Sequence, residues 1–399
     1  MKSNFKLLTQ KLKYLVKDFP ILHIRSWLPY IHTYVKFGYH KNHIRHQPIS
    51  KIRRDRFIQN LSLGVGNSEK IFMLDKCVGE RKLPQRVLIT NSTIGGRSGT
   101  EVWIYEIYNW LSSKDIDVLV FAPNLNHKNP KTLSLLPYTS SIREASKFKP
   151  DLIHLQHAGH HKISELLECF ESIPVFNLLH GISDQIELPL PPKNLKVLHG
   201  GVSRLICSKG AFLTKQKTLL LKNFTDRKAT INLPRTPLVA AIVSTKTSSK
   251  SIKRVKEIFS SHKSMVKVFG HDSASFIWDY DAPESALTNC DIALCTGKTV
   301  IDLLGLGLNV MLYEDDLLGP VVTEKNYNFL SDMNFALASE TVPAVNVFSS
   351  NSEIWLETQL RELSQIDPVT LTKLRNQENN IEVVGTQLLR AYSELMRQR

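Results

Sequence analysis

Three groups of residues in this chain combine types and spacings suited to chemistry. The first is Thr296, Gly297, Lys298 and Thr299, a polar glycine turn between the apolar run Ile292 to Leu294 and an apolar helix pattern that carries Asp302. The first amides of a helix lack partners within it, and the aligned peptide dipoles place partial positive charge there. Gly297 allows close approach of the backbone and Lys298 adds charge, a combination suited to phosphate. Asp302, one turn inside, is placed to accept hydrogen bonds from a ribose diol, so a nucleotide diphosphate suits the set. A P-loop is excluded, because the glycine it needs five residues before Gly-Lys-Thr is Ile292. The spaced glycines of a dinucleotide fingerprint are also missing. The plain alternative is an ordinary crossover turn.

The second group follows the strand pattern Arg86 to Thr90: Gly95, Gly96 and Gly99, then Glu101 at the start of a helical stretch. Glycine-rich strand-to-helix turns occur widely in α/β proteins. The third group is histidine. His157 and His180 close the apolar runs Asp151 to Gln156 and Val175 to Gly181, where an imidazole can bind a sugar hydroxyl or act as a base near neutral pH. His160 and His161 extend that cluster, but no cysteine or carboxylate stands at metal-ligand spacing beside them, so no metal is expected. Glu101, His157 and His180 are the catalytic candidates. Lys246 and Lys250, after the run Leu238 to Val243, are placed to meet a diphosphate; a solvated helix face is the competing reading.

These residues need a scaffold of strands alternating with helices. Strand patterns at 86–90, 118–122, 151–156, 175–181 and 202–208, then at 238–243, 266–270, 292–294 and 309–313, are separated by helical stretches. Such alternation predicts parallel sheets whose ligands lie at the carboxyl ends of the strands. A length of 399 residues exceeds what one core usually supports and predicts two domains. Helices are expected at Ser352 to Leu363 and Ile381 to Met396, the last able to cross back to the first domain.

Charge is unevenly distributed. The whole chain carries +14, yet residues 1–60 hold 13 Lys or Arg against Asp18 and Asp55. Phe5, Leu8, Leu12, Leu15 and Val16 share a helical face opposite Lys6, Lys13 and Lys17, a basic amphipathic pattern that predicts binding to an anionic membrane surface. A helix packed on the body is the alternative. Nothing resembles a membrane-spanning run or a signal-peptide core. Nucleic acid is the rival partner for a basic arm, but no zinc-finger, RNA-recognition or helix-turn-helix pattern accompanies the charge. Five scattered cysteines argue against a disulfide framework and for a reducing cytoplasm.

The ordered set resembles GT-B glycosyltransferases of a family 4-like, bacterial surface-polysaccharide type. Their donor loop has a small or glycine-rich turn, a glutamate on the helix, then a glycine and a strand, and Asp302 stands at the glutamate's place. The partner glutamate eight residues earlier is replaced by Leu294. Asp151 to Gln156 resembles the family's Asp-hydrophobic-hydrophobic-His segment, and Gly319 to Phe335 a segment found after the donor loop. The resemblance covers roughly residues 85–340. It implies two Rossmann-like doubly wound α/β domains facing a cleft: a basic helical extension at 1–80, an acceptor domain at 81–230 and a donor domain with terminal helices at 231–399. It further implies metal-independent transfer from a nucleotide-diphosphate sugar to a glycan or lipid-linked acceptor, peripherally at the inner face of the membrane. No cofactor is implied. Gly297, Lys298, Thr299, Asp302, Lys246 and Lys250 would bind donor, the loop of Gly95, Gly96 and Gly99 would approach phosphate or acceptor, and His180 would touch the transferred sugar. The Asp279-Tyr280-Asp281 pair is read as a loop and not a metal site. A binding or scaffold protein of the same shape, without transfer activity, is the alternative.

Overall fold

The computed structural model of the chain describes residues 71–73, 82–96, 98–126, 135–170, 172–181, 185–189, 196–232, 234–235, 238–243, 248–269, 287, 289–337 and 341–397. The basic stretch 1–60, Lys246 and Asp279 to Asp281 lie outside these.

The first sheet is built from β1 (Ile71–Phe72), β2 (Arg86–Thr90), β4 (Asp117–Phe121), β6 (Tyr138–Thr139), β7 (Leu152–Leu155), β8 (Val175–Leu179), β9 (Val197–Gly201) and β10 (Thr218–Leu220). Their order is β1-β10-β9-β8-β7-β2-β4-β6, every neighbouring pair parallel. A two-stranded side sheet pairs β3 (Thr93–Ile94) with β5 (Asn124–Leu125). The helices of this half include α1 (Gly99–Ser112), α2 (Ile142–Phe148), α3 (His161–Glu168) and α4 (Arg204–Thr214). β7 and β8 are buried at every position, as expected of parallel strands covered on both faces.

The second sheet runs β12-β11-β13-β14-β15-β16, from β11 (Val239–Val243), β12 (Met265–Phe269), β13 (Ile292–Cys295), β14 (Asn309–Glu314), β15 (Leu317–Val321) and β16 (Val345–Asn346). The pairs up to β14 are parallel, and β15 and β16 add an antiparallel edge. The helices here are α5 (Ser249–Ser261), α6 (Lys298–Gly305), α7 (Tyr327–Asp332), α8 (Ser352–Leu363) and α9 (Pro368–Glu378).

One sequence expectation is corrected. The run 202–208 is not a strand. Ser203 caps α4, its Oγ accepting from the Ile206 amide at 3.3 Å, and Leu205, Ile206 and Cys207 are buried on that helix. The strand is β9, one step earlier, whose Gly200 and Gly201 hid it from a reading based on apolar runs.

The last helix, α10 (Ile381–Arg397), leaves the second sheet and completes the first. Its Tyr392 hydroxyl lies 2.6 Å from His154 Nδ1 on β7. Its Gly385 admits Trp110 of α1 so closely that a Cβ there would stand 2.6 Å from the indole. The chain therefore passes between the halves twice, once between β10 and β11 and once between α9 and α10. The crossings are tied together: Thr225 N–H donates to Asn379 O at 2.9 Å, and Ile381 N–H returns to Thr225 O at 3.2 Å. Buried Arg375 of α9 donates to Ala229 O at 3.0 Å and to Leu304 O of α6.

Candidate active site

The two strand-to-helix glycine turns, one from each half, meet. A Cβ built on Gly99 would lie 3.5 Å from the Lys298 Cβ, so the amino ends of α1 and α6 abut. Gly297 precedes α6 at φ 65° and ψ −142°, a conformation that favours glycine, and no side chain caps the helix there. Thr296, Gly297 and Thr299 are partly exposed at this end.

Lys298 and Asp302 point elsewhere than expected. Both are buried, and the Lys298 ammonium is enclosed by Asp302 Oδ1 at 2.6 Å, Glu106 Oε2 of α1 at 2.8 Å and the Phe224 carbonyl at 2.9 Å. The cation is thus committed to an ion triad bridging the halves, and the carboxylate proposed for a ribose is facing the lysine. Burial pushes the Glu106 carboxyl up to about 8 despite the opposing pull of Lys298. Burial raises Asp302 as well. Desolvation opposes the charge on Lys298, but the two acidic neighbours outweigh it and its pKa rises. The ammonium therefore faces two carboxyl groups whose proton affinity burial raises and the lysine's charge opposes.

Glu101 also differs from expectation. Its carboxylate accepts from the Gly96 amide at 2.8 Å and the Ser98 amide at 2.8 Å, while Ser98 Oγ faces the Glu101 amide at 3.3 Å. This capping box commits Glu101 to holding the glycine loop, and it occupies the Gly96 N–H proposed for phosphate. The Ser98-x-x-Glu101 spacing carried that signal in the sequence. Gly95, at φ 90°, completes the turn. Lys250 is exposed, with its ammonium 4.8 Å from the Phe348 ring centroid.

The histidines stay at the strand ends. His180 lies edge-on to Trp103 of α1, centroids 5.5 Å apart, and its buried Nε2 has no hydrogen-bond partner among the described residues. Burial lowers its pKa to about 4, only partly countered by Glu187, so it is neutral at pH 7. His157, at φ 55°, has Ser92 Oγ 2.8 Å from Nδ1 and Glu187 Oε1 3.4 Å from Nε2. Glu187 closes the 3₁₀ turn Gln185–Glu187, and its Oε2 accepts from the His180 amide at 3.0 Å. Burial would raise this carboxyl, but His157, His180 and Lys209 together hold it near 2. His160 and His161 stack on each other at 4.7 Å.

Sequence reasoning missed Ser92, Trp103, Glu106 and Glu187. The i,i+4 spacing of Lys298 and Asp302 is a signal that could have found their pairing, but nothing local marks Glu106 as its third member. Further polar links join the halves beside the site: Arg204 to Asp332 at 3.3 Å, Asn223 to Asn334 at 3.0 Å and Asn334 to the His180 carbonyl at 3.5 Å.

No family model matches the chain, and no curated protein does. Among solved structures, a glycosyltransferase from Rickettsia africae ESF-5 superposes with a TM-score of 0.54 at 12% identity, covering 79% of this chain and 99% of that one. Anabaena HepE, solved with UDP and glucose, gives 0.46 at 12% identity, with 78% and 100% covered. WaaG, described as a glycosyltransferase involved in lipopolysaccharide biosynthesis, gives 0.38 at 11% identity, with 73% and 99% covered. With two Rossmann-like halves meeting at the carboxyl ends of their strands, and with the Rickettsia enzyme's arrangement over most of its length, the chain has the GT-B fold.

Proposed function

We propose that the protein is a glycosyltransferase that moves a sugar from a nucleotide-diphosphate donor to a hydroxyl acceptor. The observation that carries this is the apposition of the uncapped amino end of α6 to the glycine turn of α1, with histidines at the adjoining strand ends. The amides of Lys298 and Thr299, with the Thr299 hydroxyl, would bind the diphosphate. As its bond to the sugar breaks, the leaving diphosphate gains negative charge, and a helix amino end stabilises that charge without reorganising. Neutral His180 would contact the sugar. His157, backed by ionised Glu187, is the base of the site. Asp302 acts through Lys298, and the Gly95–Gly99 loop shapes the acceptor side. A glycan or lipid-linked acceptor in bacterial surface-polysaccharide synthesis, reached at an anionic membrane through residues 1–60, is the finer reading. It rests on the motif resemblance and the basic charge of that stretch.

Calorimetric titration of the full chain with UDP, GDP, ADP and CMP, without added metal, tests the donor site. One nucleotide should bind saturably, and Gly297→Ala should weaken it at least tenfold, because alanine resists the backbone conformation at φ 65°. Silence with all four nucleotides would remove the donor site. A donor-binding protein without transfer activity is favoured by one observation, the enclosure of Lys298 between Glu106 and Asp302, away from any donor. Nucleotide binding without release of nucleotide from its sugar conjugates would support that reading.

A further inference from the structure

Ser92, His157 and Glu187 come from three separate turns at the carboxyl edge of the first sheet and form one continuous line. Ser92 follows β2, His157 follows β7, and Glu187 follows β8. The neighbouring positions of β7, β2 and β8 in the sheet bring them together.

The tautomer of His157 follows from its neighbours. The Ser92 backbone N–H points at Nδ1 at 3.2 Å, and an amide N–H can only donate, so Nδ1 carries the ring's lone pair. The ring proton therefore sits on Nε2 and faces Glu187 Oε1 at 3.4 Å. The Ser92 hydroxyl, 2.8 Å from Nδ1, is then the donor of that pair. A hydroxyl on the lone pair of an imidazole whose other nitrogen faces a carboxylate is the arrangement that activates serine oxygens. Glu187 is held firmly: Lys209 Nζ donates to its backbone carbonyl at 2.8 Å, and its Oε2 accepts from the His180 amide at 3.0 Å. The left-handed backbone of His157 is a conformation that residues other than glycine hold mainly where the surroundings enforce it.

The same geometry limits how a substrate reaches the base. The one basic nitrogen of His157 is covered by both the N–H and the O–H of Ser92, so a substrate hydroxyl meets Ser92 Oγ before it meets the ring. Ser92 and His157 are each 8% exposed, so neither is fully sealed from solvent.

We propose that Ser92 is a catalytic residue, passing the proton of the sugar-accepting hydroxyl to His157 while Glu187 stabilises the imidazolium. This rests on the glycosyl-transfer reading above. In the step, the acceptor oxygen bonds to the anomeric carbon, and the bond from that carbon to the diphosphate oxygen breaks, its electron pair leaving with the diphosphate. The acceptor's proton moves to Ser92 Oγ, and the serine's own proton moves to His157 Nδ1. The imidazolium then loses a proton to solvent. With water as acceptor the balance is UDP-glucose plus water giving UDP, glucose and one proton.

The test uses the full chain and the glucose and N-acetylglucosamine conjugates of whichever of UDP, GDP or ADP binds in the titration above, with water as acceptor and release of nucleotide as the readout. Ser92→Ala should lower kcat about 100-fold or more, the scale of a lost proton-transfer group. KM and the Kd of the free nucleotide should stay within twofold. Ser92→Thr, which keeps a hydroxyl, should recover most of kcat, a rescue that a purely structural serine would not give in kcat alone. Ser92→Ala turning over within threefold of the wild type overturns the relay. So does loss of nucleotide binding in both variants, or a wild type that binds nucleotide and releases none from either conjugate. A wild type that binds no nucleotide overturns the transferase reading itself, a distinct result.

Discussion

Replacing Lys298 with methionine should lower the unfolding free energy by about 3–5 kcal/mol, the loss expected when one partner of a buried ion pair is removed. Methionine fits the space but leaves Glu106 and Asp302 facing each other without a cation between them. Both must then be protonated to stay buried, or the halves must part to admit water. Such a loss is a large share of the roughly 5–15 kcal/mol that holds a folded domain. The triple replacement Glu106→Leu, Lys298→Met and Asp302→Leu should recover most of the stability, because it removes the charges together. Urea unfolding of the three proteins decides the matter: a loss below 1 kcal/mol in the single variant would mean that water, and not the lysine, satisfies the carboxylates.

Stability should also peak near pH 6.5 and fall on both sides. His180 and His199 are lowered by burial from their ordinary 6.5 to about 4, and burial lowers His154 as well. Between pH 6.5 and 4 the unfolded chain therefore binds protons that the native state refuses, and each such histidine removes about 1.4 kcal/mol per pH unit on acidification. Glu187, held near 2 against an ordinary 4.5, extends the loss to lower pH. Glu106 acts in the opposite sense. Its folded pKa is raised from 4.5 to about 8, so its contribution is complete below pH 4.5 and is lost as pH rises through 8. From pH 4.5 to 6.5 the three histidines outweigh it, and above 6.5 it acts without their opposition. Urea midpoints at pH 5, 6.5 and 8.5 should show the maximum in the middle. Glu106→Gln should flatten the alkaline side and steepen the acid side, whereas a wild-type midpoint that rises from 6.5 to 8.5 would mean that Glu106 is already ionised at neutral pH.

Much of the fold was legible because parallel strands buried on both faces must be apolar along their length. Arg86 to Thr90 and the helix Ser352 to Leu363 were read with the bounds the structure gives them. Strand β9 was missed because its VLHGG sequence lacks such a run, and the adjacent apolar segment belongs to a capped helix. The site was legible as turns but not as side-chain directions. Gly297 and Thr299 lie at a helix start, as their spacing predicted, while Lys298 between them turns inward. Which way it turns depends on Glu106 and Phe224, far away in sequence. The Ser92 and His157 pair, separated by 65 positions, exists only because β2 and β7 are neighbours in the sheet. Strand order is a property of the whole topology, and no local pattern encodes it.

The return of α10 to the first sheet bears on how the molecule is made. Tyr392 and Gly385, which cover His154 and Trp110, belong to a segment synthesised after every strand of the second sheet. The first half therefore emerges from the ribosome with part of its apolar face bare, and it must wait in that state while the second half is translated. The usual order of synthesis, in which an amino-terminal domain is finished before the next begins, does not hold for this chain. The half made first is the half completed last, so the two must mature together.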